Sequence, residues 1–341
     1  MIFIFAYDRF VSCQEGVERI FMKSWGEKPY HSLDYELKQR FGVKIYKLTL
    51  NGGMSCPNRD GKISFGGCIF CSEGGSGEFA SCAALPIPEQ IQDAKKRLAG
   101  KRPVNQYIAY FQAYTNTYGP LEHLRKIFTE AINDPEIVLL SIATRPDCLS
   151  DKVVELLAEL NKIKPVWVEL GLQTIHESSA RFIRRGYPLS VFTDAVDRLT
   201  THGIEVVTHV ILGLPGETRE MILETVDYLN TLPIQGIKLQ LLHVLEETDL
   251  AIYYRNTGFH ILSEDEYVSL ILECIEHLRP EITIHRITGD GPKDLLIAPL
   301  WSSAKRSVLN HIHHEMKIKN SWQGKYLEQK GDLHGRSTNT L

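Results

Sequence analysis

Short apolar runs that alternate with longer amphipathic segments are the dominant pattern along this chain. Several of the short runs are continuous rather than alternating, for example Ile137-Val138-Leu139-Leu140. Continuous apolar runs of this length are typical of parallel strands that are covered on both faces. The pattern predicts strands at residues 44–50, 106–112, 137–143, 166–171, 205–212, 236–242 and 282–287.

The longer segments between these strands carry the start signals and the apolar spacing of helices. Thr218 opens one such segment, and Ser150 opens another, whose inner face carries Val153, Val154, Leu156, Leu157 and Leu160. Strands that alternate regularly with helices imply right-handed βαβ units, so the predicted fold class is α/β with a parallel sheet. Such sheets hold their chemistry at the carboxyl ends of the strands, in the loops that follow.

Composition changes this picture little. The 341 residues are 43% hydrophobic and 23% charged, as in ordinary globular proteins, and the formal net charge is −4. Global charge therefore offers no reason to expect nucleic-acid binding, which would need a local basic patch. No apolar run approaches the ~18 residues that span a bilayer, so no membrane partner is expected.

The start of the chain and its cysteine count indicate a compartment. The apolar stretch that opens the chain stops at Asp8, too early for the core of a signal peptide. Residues 1–21 are interpreted as a non-essential extension or a misassigned start. Seven cysteines, an odd number in a long untargeted chain, favour a reducing cytoplasm over a disulfide framework.

Cys56, Cys68 and Cys71 form a C-x₁₁-C-x₂-C pattern in a glycine-rich loop after the first predicted strand. Three thiolates can hold three irons of a cubane iron–sulfur cluster, which leaves the fourth iron open to a small molecule. The alternative is zinc, which usually takes four ligands, so a distant His or Cys would have to complete the site. Spacing alone leaves both open.

The remaining cysteines have simpler interpretations. Cys148 and Cys274 lie in apolar surroundings and are expected to be small buried residues rather than ligands. Cys13 and Cys82 have no partner at ligand spacing.

Polar and glycine residues follow the first two strands. Gly74 and Gly75 lie in a glycine run whose free amides suit an anionic ligand, unless the run is only a flexible loop. Thr115 and Asn116 follow the second strand in a compact polar turn. This turn either holds the ammonium and carboxylate of an amino-acid ligand or is an ordinary connection.

The next three strand ends also carry candidate ligand contacts. Thr144 precedes Arg145 after the third strand, and Glu169 and Gln173 flank a glycine at the end of the fourth. A buried glutamate is costly unless it is paired or binds something. His209 lies in the fifth strand, where a histidine is more often a hydrogen-bonded core residue than a ligand.

Taken together, these segments resemble the radical S-adenosylmethionine (SAM) superfamily. The common C-x₃-C-x₂-C spacing of that superfamily is not met, but the longer spacing is similar to its YhcC/YtqA-like subgroup. The resemblance covers about residues 23–320 and is carried by YHSLDYEL at 30–37 and NGGMSCPNRDG at 51–61. The segments TRPD at 144–147 and GLPGET at 213–218 are also similar to the Elongator catalytic subunit and to oxygen-independent coproporphyrinogen oxidases.

The resemblance implies a partial (βα)₆ barrel of parallel strands with extensions at both ends. The expected organisation is an N-terminal extension at 1–40, the radical SAM barrel at 41–290 and a helical, basic C-terminal extension at 291–341. It also implies a [4Fe–4S] cluster on Cys56, Cys68 and Cys71. That cluster would reductively cleave SAM to a 5′-deoxyadenosyl radical, with flavodoxin or ferredoxin as an expected reductant.

Expected SAM contacts follow from the same resemblance. In the coproporphyrinogen oxidases a glutamine of the fourth-strand motif and an arginine twelve residues later contact SAM, and here these positions are Gln173 and Arg185. Two positions depart from those relatives. His209 stands where they have a carboxylate, and Ala143 stands where they have a glutamate.

The likeness to the Elongator subunit, which modifies C5 of the wobble uridine, points to tRNA as the substrate. The resemblance to the YhcC/YtqA-like subgroup implies that the aminomethyl-type side chain of that base is the group modified. A basic, aromatic segment after Trp301 is expected beside the barrel mouth, where it either holds RNA or is a solvated C-terminal helix and tail; no DNA partner is expected. Its charged residues are Lys305, Arg306, Glu315, Lys317, Lys319, Lys325, Glu328, Lys330, Asp332 and Arg336. The alternatives are a radical SAM enzyme for a small molecule such as a tetrapyrrole, and a non-enzymatic zinc-binding module.

Overall fold

The computed structural model of the protein describes residues 23–75, 77, 79–98, 104–289 and 291–329. In chain order the strands are β1 (Tyr46–Leu50), β2 (Tyr107–Phe111), β3 (Ile137–Thr144), β4 (Val166–Gln173), β5 (Glu205–Leu212), β6 (Gly236–Leu241), β7 (Val244–Leu245), β8 (Thr283–Arg286) and β9 (Leu296–Ala298). The helices are α1 (Leu33–Phe41), α2 (Ile87–Leu98), α3 (Leu121–Ile132), α4 (Asp151–Asn161), α5 (Glu177–Phe182), α6 (Leu189–Thr201), α7 (Arg219–Asn230), α8 (Asp249–Thr257), α9 (Glu264–His277) and α10 (Lys305–Ile318).

Seven of the strands form one parallel sheet in the order β1-β2-β3-β4-β5-β6-β8. Strands β1 and β8 are its two edges, so the sheet is a half-barrel rather than a closed one. The predicted α/β class and partial barrel are confirmed, and each predicted strand is present with its ends shifted by two residues or fewer. The short antiparallel pair β7–β9 was not expected from the pattern.

Helices cover the outer face of the sheet because their apolar stripes match the apolar strands. The aromatic ring of Phe128 on α3, for example, lies 5.1 Å from that of Phe111 on β2 in an edge-to-face contact. Burying such a side chain stabilises the fold by roughly 1.5–3 kcal/mol. Thr218 begins α7 as predicted, because its hydroxyl accepts a hydrogen bond from the Met221 amide at 3.4 Å. Within the described ranges, no helix is long and apolar enough to cross a bilayer.

The inner face of the half-barrel changes character along the strands. Its lower layer is apolar and includes Ile108, Leu139, Trp167 and Val207. Successive inward-facing positions on a strand are two residues apart. At the next inward positions the side chains become polar or charged: Tyr110, Ser141, Glu169 and His209. This change marks the floor of a polar cavity that opens towards the carboxyl ends.

The described part of the C-terminal extension runs from the cavity, which Gly291 and Pro292 line, to the opposite end of the sheet. Helix α10 packs on α9, and the buried Gln323 then donates its side-chain amide to the carbonyl oxygens of Arg279 at 2.6 Å and Ile282 at 2.8 Å. Both carbonyls precede β8, so this segment closes the amino-end edge.

The expectation that the basic segment stands beside the barrel mouth is therefore wrong for the part that follows α10. The start of α10 lies nearer the carboxyl ends, since His311 pairs with Glu264 at the start of α9. Three charged residues of the basic segment lie outside the described ranges: Lys330, Asp332 and Arg336.

The N-terminal extension is joined to the same end. The amide of Ile284 in β8 donates to the His31 carbonyl at 2.7 Å, and the His31 amide donates to the Gln323 side chain at 2.8 Å. Residues 1–21 lie outside the described ranges. The boundaries at 40/41 and 290/291 stay predictions.

Candidate active site

A cavity of about 270 Å³ opens at the carboxyl ends of the strands. It brings together residues from the cysteine loop and from strands β2 to β6 and β8. Most of the predicted site residues line it: Cys56, Cys68, Cys71, Gly75, Thr115, Thr144, Glu169, Gln173, Arg185 and His209. The order of the strands in the sheet, rather than closeness in sequence, brings the residues at the strand ends together.

Two predicted contacts do not line the cavity, namely Gly74 and Asn116. The Asn116 side chain is fully buried and donates to the carbonyl oxygens of Phe111 at 3.1 Å and Ala143 at 2.9 Å. In this arrangement Asn116 braces the ends of β2 and β3 beneath the cavity wall.

The eleven residues between Cys56 and Cys68 form a folded excursion rather than a wide loop. The Pro57 carbonyl accepts hydrogen bonds from the amides of Ile63 at 2.9 Å and Ser64 at 3.4 Å, and Asn58 accepts from Gly67 at 2.8 Å. These bonds return the chain to the cavity at the second cysteine.

Gly67 has a left-handed backbone, with φ at 86°. A side chain at this position would also approach the Arg59 guanidinium, since a Cβ there would lie 3.0 Å from its Nε. Arg59 instead folds over the loop, donating to the carbonyl oxygens of Cys71 at 2.8 Å and of Ser72. The glycine therefore gives Arg59 room to pack beside the cysteines.

The surroundings of the cysteines combine nearby donor groups, which stabilise negative charge at sulfur, with burial, which opposes it. The Asn58 side-chain amide lies 3.5 Å from the Cys68 sulfur and also donates to the Arg184 carbonyl at 2.7 Å. Burial disfavours the Arg59 guanidinium, but the nearby Cys71 raises the pKa of Arg59 above its usual value. Burial, with Cys71 beside it, raises the pKa of the Cys68 thiol to about 12. Metal binding would have to displace the proton of this thiol.

The donor set fits an iron–sulfur cluster. Cys56, Cys68 and Cys71 are free thiols, all partly accessible from one cavity, with amide and guanidinium groups beside them. Among the described residues, no three Cys, His, Asp or Glu side chains converge on a point where a single metal ion could be held. A cubane asks for a different arrangement, because each thiolate binds a separate iron.

The other described cysteines do not join this loop. Cys274 is fully buried, as expected, whereas Cys148 is only partly buried, so its expected burial is wrong in degree. Cys82 is exposed, and Cys13 lies outside the described ranges.

Gln173 stands out at the cavity wall. Its backbone has φ at 70°, a conformation that is costly for a residue with a side chain, and the pairing of β4 with β5 shifts register beside it. Its side-chain oxygen is buried without a hydrogen-bond partner among the described residues. An acceptor left open at a strained position suits a ligand donor, although the predicted SAM contact stays a prediction.

Arg185 is almost wholly buried at 2% exposure. Its guanidinium donates to the carbonyl oxygens of Thr174 at 2.7 Å and Leu172 at 3.2 Å, and it pairs with Glu177 at 3.0 Å. These bonds hold the loop after β4 in the shape that presents Gln173. The ring of Tyr187 lies between Arg185 and Arg145, with ring-to-guanidinium distances of 5.0 and 4.9 Å.

Thr144 and Arg145 are held in place at the end of β3. The Thr144 hydroxyl bonds that of Thr117 at 2.6 Å. Arg145 makes a bidentate ion pair with Asp147 at 2.9 and 2.7 Å. Although burial opposes the charge, pairing with Asp147 raises the pKa of Arg145, so it stays cationic at the cavity wall.

The floor of the cavity is a charged cluster centred on Glu169, which we call the charged floor. It comprises Lys47, Tyr110, Ser141, Glu169, His209 and Lys238. One oxygen of the Glu169 carboxylate is bonded by Lys47 at 2.8 Å and Ser141 at 2.7 Å. The other is bonded by His209 at 2.8 Å and by Lys238, whose ammonium also reaches the Tyr110 hydroxyl at 3.1 Å.

The charges of the floor stabilise one another. Burial alone would neutralise Glu169, but Lys238, Lys47 and His209 hold the pKa of its carboxyl well below its usual value. Burial, assisted by Lys238, lowers the pKa of His209 to about 4, so this imidazole is neutral at physiological pH. Its Nε2–H then donates to Glu169, while Nδ1 faces the Gln240 amide at 3.4 Å. The SAM contacts assigned to Glu169 and His209 stay predictions, since protein groups already bond both Glu169 oxygens.

Sequence reasoning missed several of these residues. Lys238 carried a readable signal, because a lysine in the middle of the apolar strand GIKLQL must be buried and therefore paired. Asn58 and Arg59 were part of the motif, but the sequence did not indicate that their side chains point towards the cysteines. Lys47 and Tyr110 lie at the start and middle of ordinary strands, and only the sheet order reveals their common partner.

Comparison with known proteins supports the same assignment. A family model described as the radical SAM superfamily matches residues 56–229, and a radical SAM C-terminal domain matches residues 234–318. The chain is 46% identical to the protein YtqA of Bacillus subtilis (strain 168), over 89% of this chain and 94% of that protein. It is 36% identical to the protein YhcC of Escherichia coli (strain K12), over 78% of this chain and 85% of that protein.

More distant likenesses extend to tRNA-modifying proteins. The chain is 26% identical to the tRNA uridine(34) acetyltransferase of Methanocaldococcus infernus, over 62% of this chain and 36% of that protein. The solved structure of archaeal Elp3 from M. infernus with an N-terminal deletion superposes with a TM-score of 0.62 at 17% identity, covering 82% of this chain and 64% of that one. This structural likeness shows the fold. The superfamily match and the similarity to YtqA and YhcC establish that the chain belongs to the radical SAM superfamily.

Proposed function

We propose that this radical SAM superfamily enzyme binds a [4Fe–4S] cluster and SAM in the cavity and modifies the C5 aminomethyl-type side chain of the wobble uridine in tRNA. The observation that carries the chemistry is the convergence of three free thiols and a charged floor on one cavity. When bound, the cluster and SAM supply one-electron chemistry that removes a hydrogen atom from an otherwise unreactive C–H bond.

The residues of the chain have distinct tasks in this proposal. Cys56, Cys68 and Cys71 hold the cluster, and Arg59 and Asn58 place positive charge and an amide donor beside the sulfurs. Gln173 offers its open side-chain oxygen to a donor group of SAM, and Arg185 holds the loop that presents it.

Apolar side chains in the cavity lining limit the entry of water. Ile183, Ile211 and Leu242 are buried and line the cavity beside the polar groups. Their packing keeps a reactive site clear of solvent and of competing hydrogen donors.

The choice of tRNA rests on two kinds of support. One is the likeness to a protein named for tRNA uridine 34, of which this chain spans 36%, so acetyl transfer itself is not proposed. The other is the surface near the cysteines, where Phe65 is 76% exposed and Phe79 is 51% exposed. Exposed aromatic rings can stack on unpaired bases of an anticodon loop, and Lys62, three residues before Phe65 in the same loop, offers a phosphate contact.

Nucleoside mass spectrometry on tRNA from a strain that lacks the gene tests the proposed function. We expect one wobble-uridine derivative to disappear and its precursor to accumulate, and the gene on a plasmid to restore the pattern. The same gene with Cys56→Ala should not restore it. An unchanged wobble-uridine profile would refute tRNA as the substrate.

A further inference from the structure

The two lysines bound to Glu169 are not equivalent. Lys47 reaches the carboxylate from β1, its side chain is 21% exposed, and it is not among the residues that line the cavity. Lys238 reaches it from β6, its side chain is 5% exposed, and it lines the cavity directly. Both stabilise the same carboxylate, but only Lys238 also faces the space where a ligand would lie.

The Lys238 ammonium has bonding capacity left over. An ammonium carries three N–H donors. Among the described residues, Lys238 donates to the Glu169 carboxylate and to the Tyr110 hydroxyl at 3.1 Å. These two bonds fix the nitrogen in position and leave one donor for a group inside the cavity.

The cost of this arrangement argues against a purely structural role. Burying an ammonium carries a large desolvation penalty, and apolar residues of similar volume often stabilise a core as well or better. A second lysine is unnecessary to neutralise Glu169, because Lys47, Ser141 and His209 already bond its two oxygens. Lys238 is therefore better explained by what it offers to the cavity.

We propose that Lys238 binds the substrate by donating a hydrogen bond to an acceptor oxygen of the group that enters the cavity. Glu169 is then a positioning residue, which holds the ammonium, rather than a residue that touches the substrate. This inference rests on the proposed function and deepens it, since the acceptor would be an oxygen of the modified uridine.

The neighbours of Lys238 suit the same kind of ligand. Gln240 is the next inward-facing residue towards the cavity mouth and adds a side-chain amide, while Arg286 on β8 also lines the cavity. Two ammonium groups bond a single carboxylate here, and the Arg286 guanidinium adds a further positive charge to the cavity lining. The local charge favours an electron-rich oxygen and disfavours a cationic group.

The test compares Lys238→Met with Lys47→Met in the full-length, anaerobically reconstituted enzyme. Both changes remove one ammonium from the same carboxylate, so each is the other's control for loss of an ion pair. We expect Lys238→Met to weaken substrate binding, seen as a higher KM and Kd, by roughly tenfold or more, and Lys47→Met to weaken it much less. Iron content and thermal unfolding, measured on both, report whether the fold is kept.

A second variant covers the case in which Lys238→Met does not fold. Lys238→Gln retains a neutral donor of similar length, and we expect it to bind substrate with an affinity between those of wild type and Lys238→Met. Equal effects on KM in the Lys238 and Lys47 variants would overturn the proposal, because a shared structural role would then explain both.

Two RNAs distinguish whether the oxygen that accepts from Lys238 belongs to the uracil ring or to the C5 side chain. If Lys238→Gln weakens binding of an unmodified transcript as much as binding of tRNA from the deletion strain, the acceptor is on the uracil ring. If only binding of the cellular tRNA is weakened, the acceptor belongs to the C5 side chain. If neither is weakened, Lys238 does not contact the substrate.

Failure of the proposed function gives a different result. The deletion strain is complemented with each variant and scored for both tRNA nucleosides and small metabolites. If the wild-type gene restores only a metabolite, tRNA falls as the substrate. The role of Lys238 is then tested with that metabolite: the proposal predicts that the Lys238→Met gene does not restore its level and that the Lys47→Met gene does.

Discussion

The two ends of the cavity are built in opposite ways. The cysteines and their neighbours Asn58 and Arg59 come from one stretch of 16 residues, 56–71, held together by local hydrogen bonds. The charged floor takes its side chains from β1, β2, β3, β4, β5 and β6, so every partner of Glu169 is remote in sequence.

This difference suggests a division of labour. The loop can keep its ligand chemistry while its length changes, which fits the eleven-residue spacing in a superfamily whose common spacing is three. The floor depends on the register of six strands, because a shift of one residue would turn its side chains to the other face. We infer that the loop serves the chemistry shared by the superfamily and that the floor serves the proposed substrate through its cavity-lining member Lys238.

The largest effect is expected at the loop. Replacing Cys56, Cys68 or Cys71 with alanine removes one of three iron ligands, so the reconstituted protein should lose most of its bound iron and its brown absorbance. Cys82→Ala, at an exposed cysteine outside the cavity, should retain both. Iron analysis with absorption spectroscopy measures this, and equal iron in the Cys82 and Cys56 variants would place the cluster elsewhere.

The next largest effect is expected at the floor, and it concerns stability rather than iron. Glu169→Ala leaves buried ammonium groups unpaired and should lower the free energy of unfolding by about 3–5 kcal/mol. Glu159→Ala is the control, because its ion pair with Arg125 is exposed on both sides. That control should cost much less, because solvent screens an exposed ion pair. Denaturant titration of the two variants measures both losses. Similar losses in free energy of unfolding would show that the floor contributes no more to stability than an exposed ion pair.

A smaller effect, on pH dependence, follows from the charge of Lys238. Burial, together with Lys47 and Arg286, lowers the pKa of Lys238 against the opposing effect of Glu169. Lys238 therefore loses its proton at a lower pH than an ordinary lysine, and KM should rise as pH increases through that range. His209 is already neutral there, since its pKa is about 4.

Lys238→Arg isolates this titration, because a guanidinium keeps its charge throughout. The alkaline rise in KM should be absent in this variant. A rise that persists unchanged would assign it to another group.

The smallest effect is expected from the amide beside the sulfur. Asn58→Leu removes the donor that lies 3.5 Å from Cys68, which stabilises added negative charge on a reduced cluster. The reduction potential should become more negative by about 60 mV or less. A redox titration followed by electron paramagnetic resonance measures it, and a shift in the positive direction would contradict this role.

The sequence was informative where a signal is local. Short apolar runs between helical segments located all seven sheet strands, and the cysteine spacing located one wall of the cavity. Glu169 was recognised as a buried charge that needs a partner, but its partners could not be identified, because Lys47 and Lys238 lie 122 and 69 residues away. The part of the basic C-terminal segment after α10 was misplaced for a related reason, since its charge gave no information about which end of the barrel Gln323 would close.

The account depends most on three thiols that hold a cluster able to cleave SAM. Anaerobically reconstituted protein should be incubated with SAM and a strong reductant, and 5′-deoxyadenosine quantified by mass spectrometry. We predict that the wild-type protein forms it and that the Cys56→Ala variant does not. Brown, iron-loaded wild-type protein that forms none would contradict the central claim.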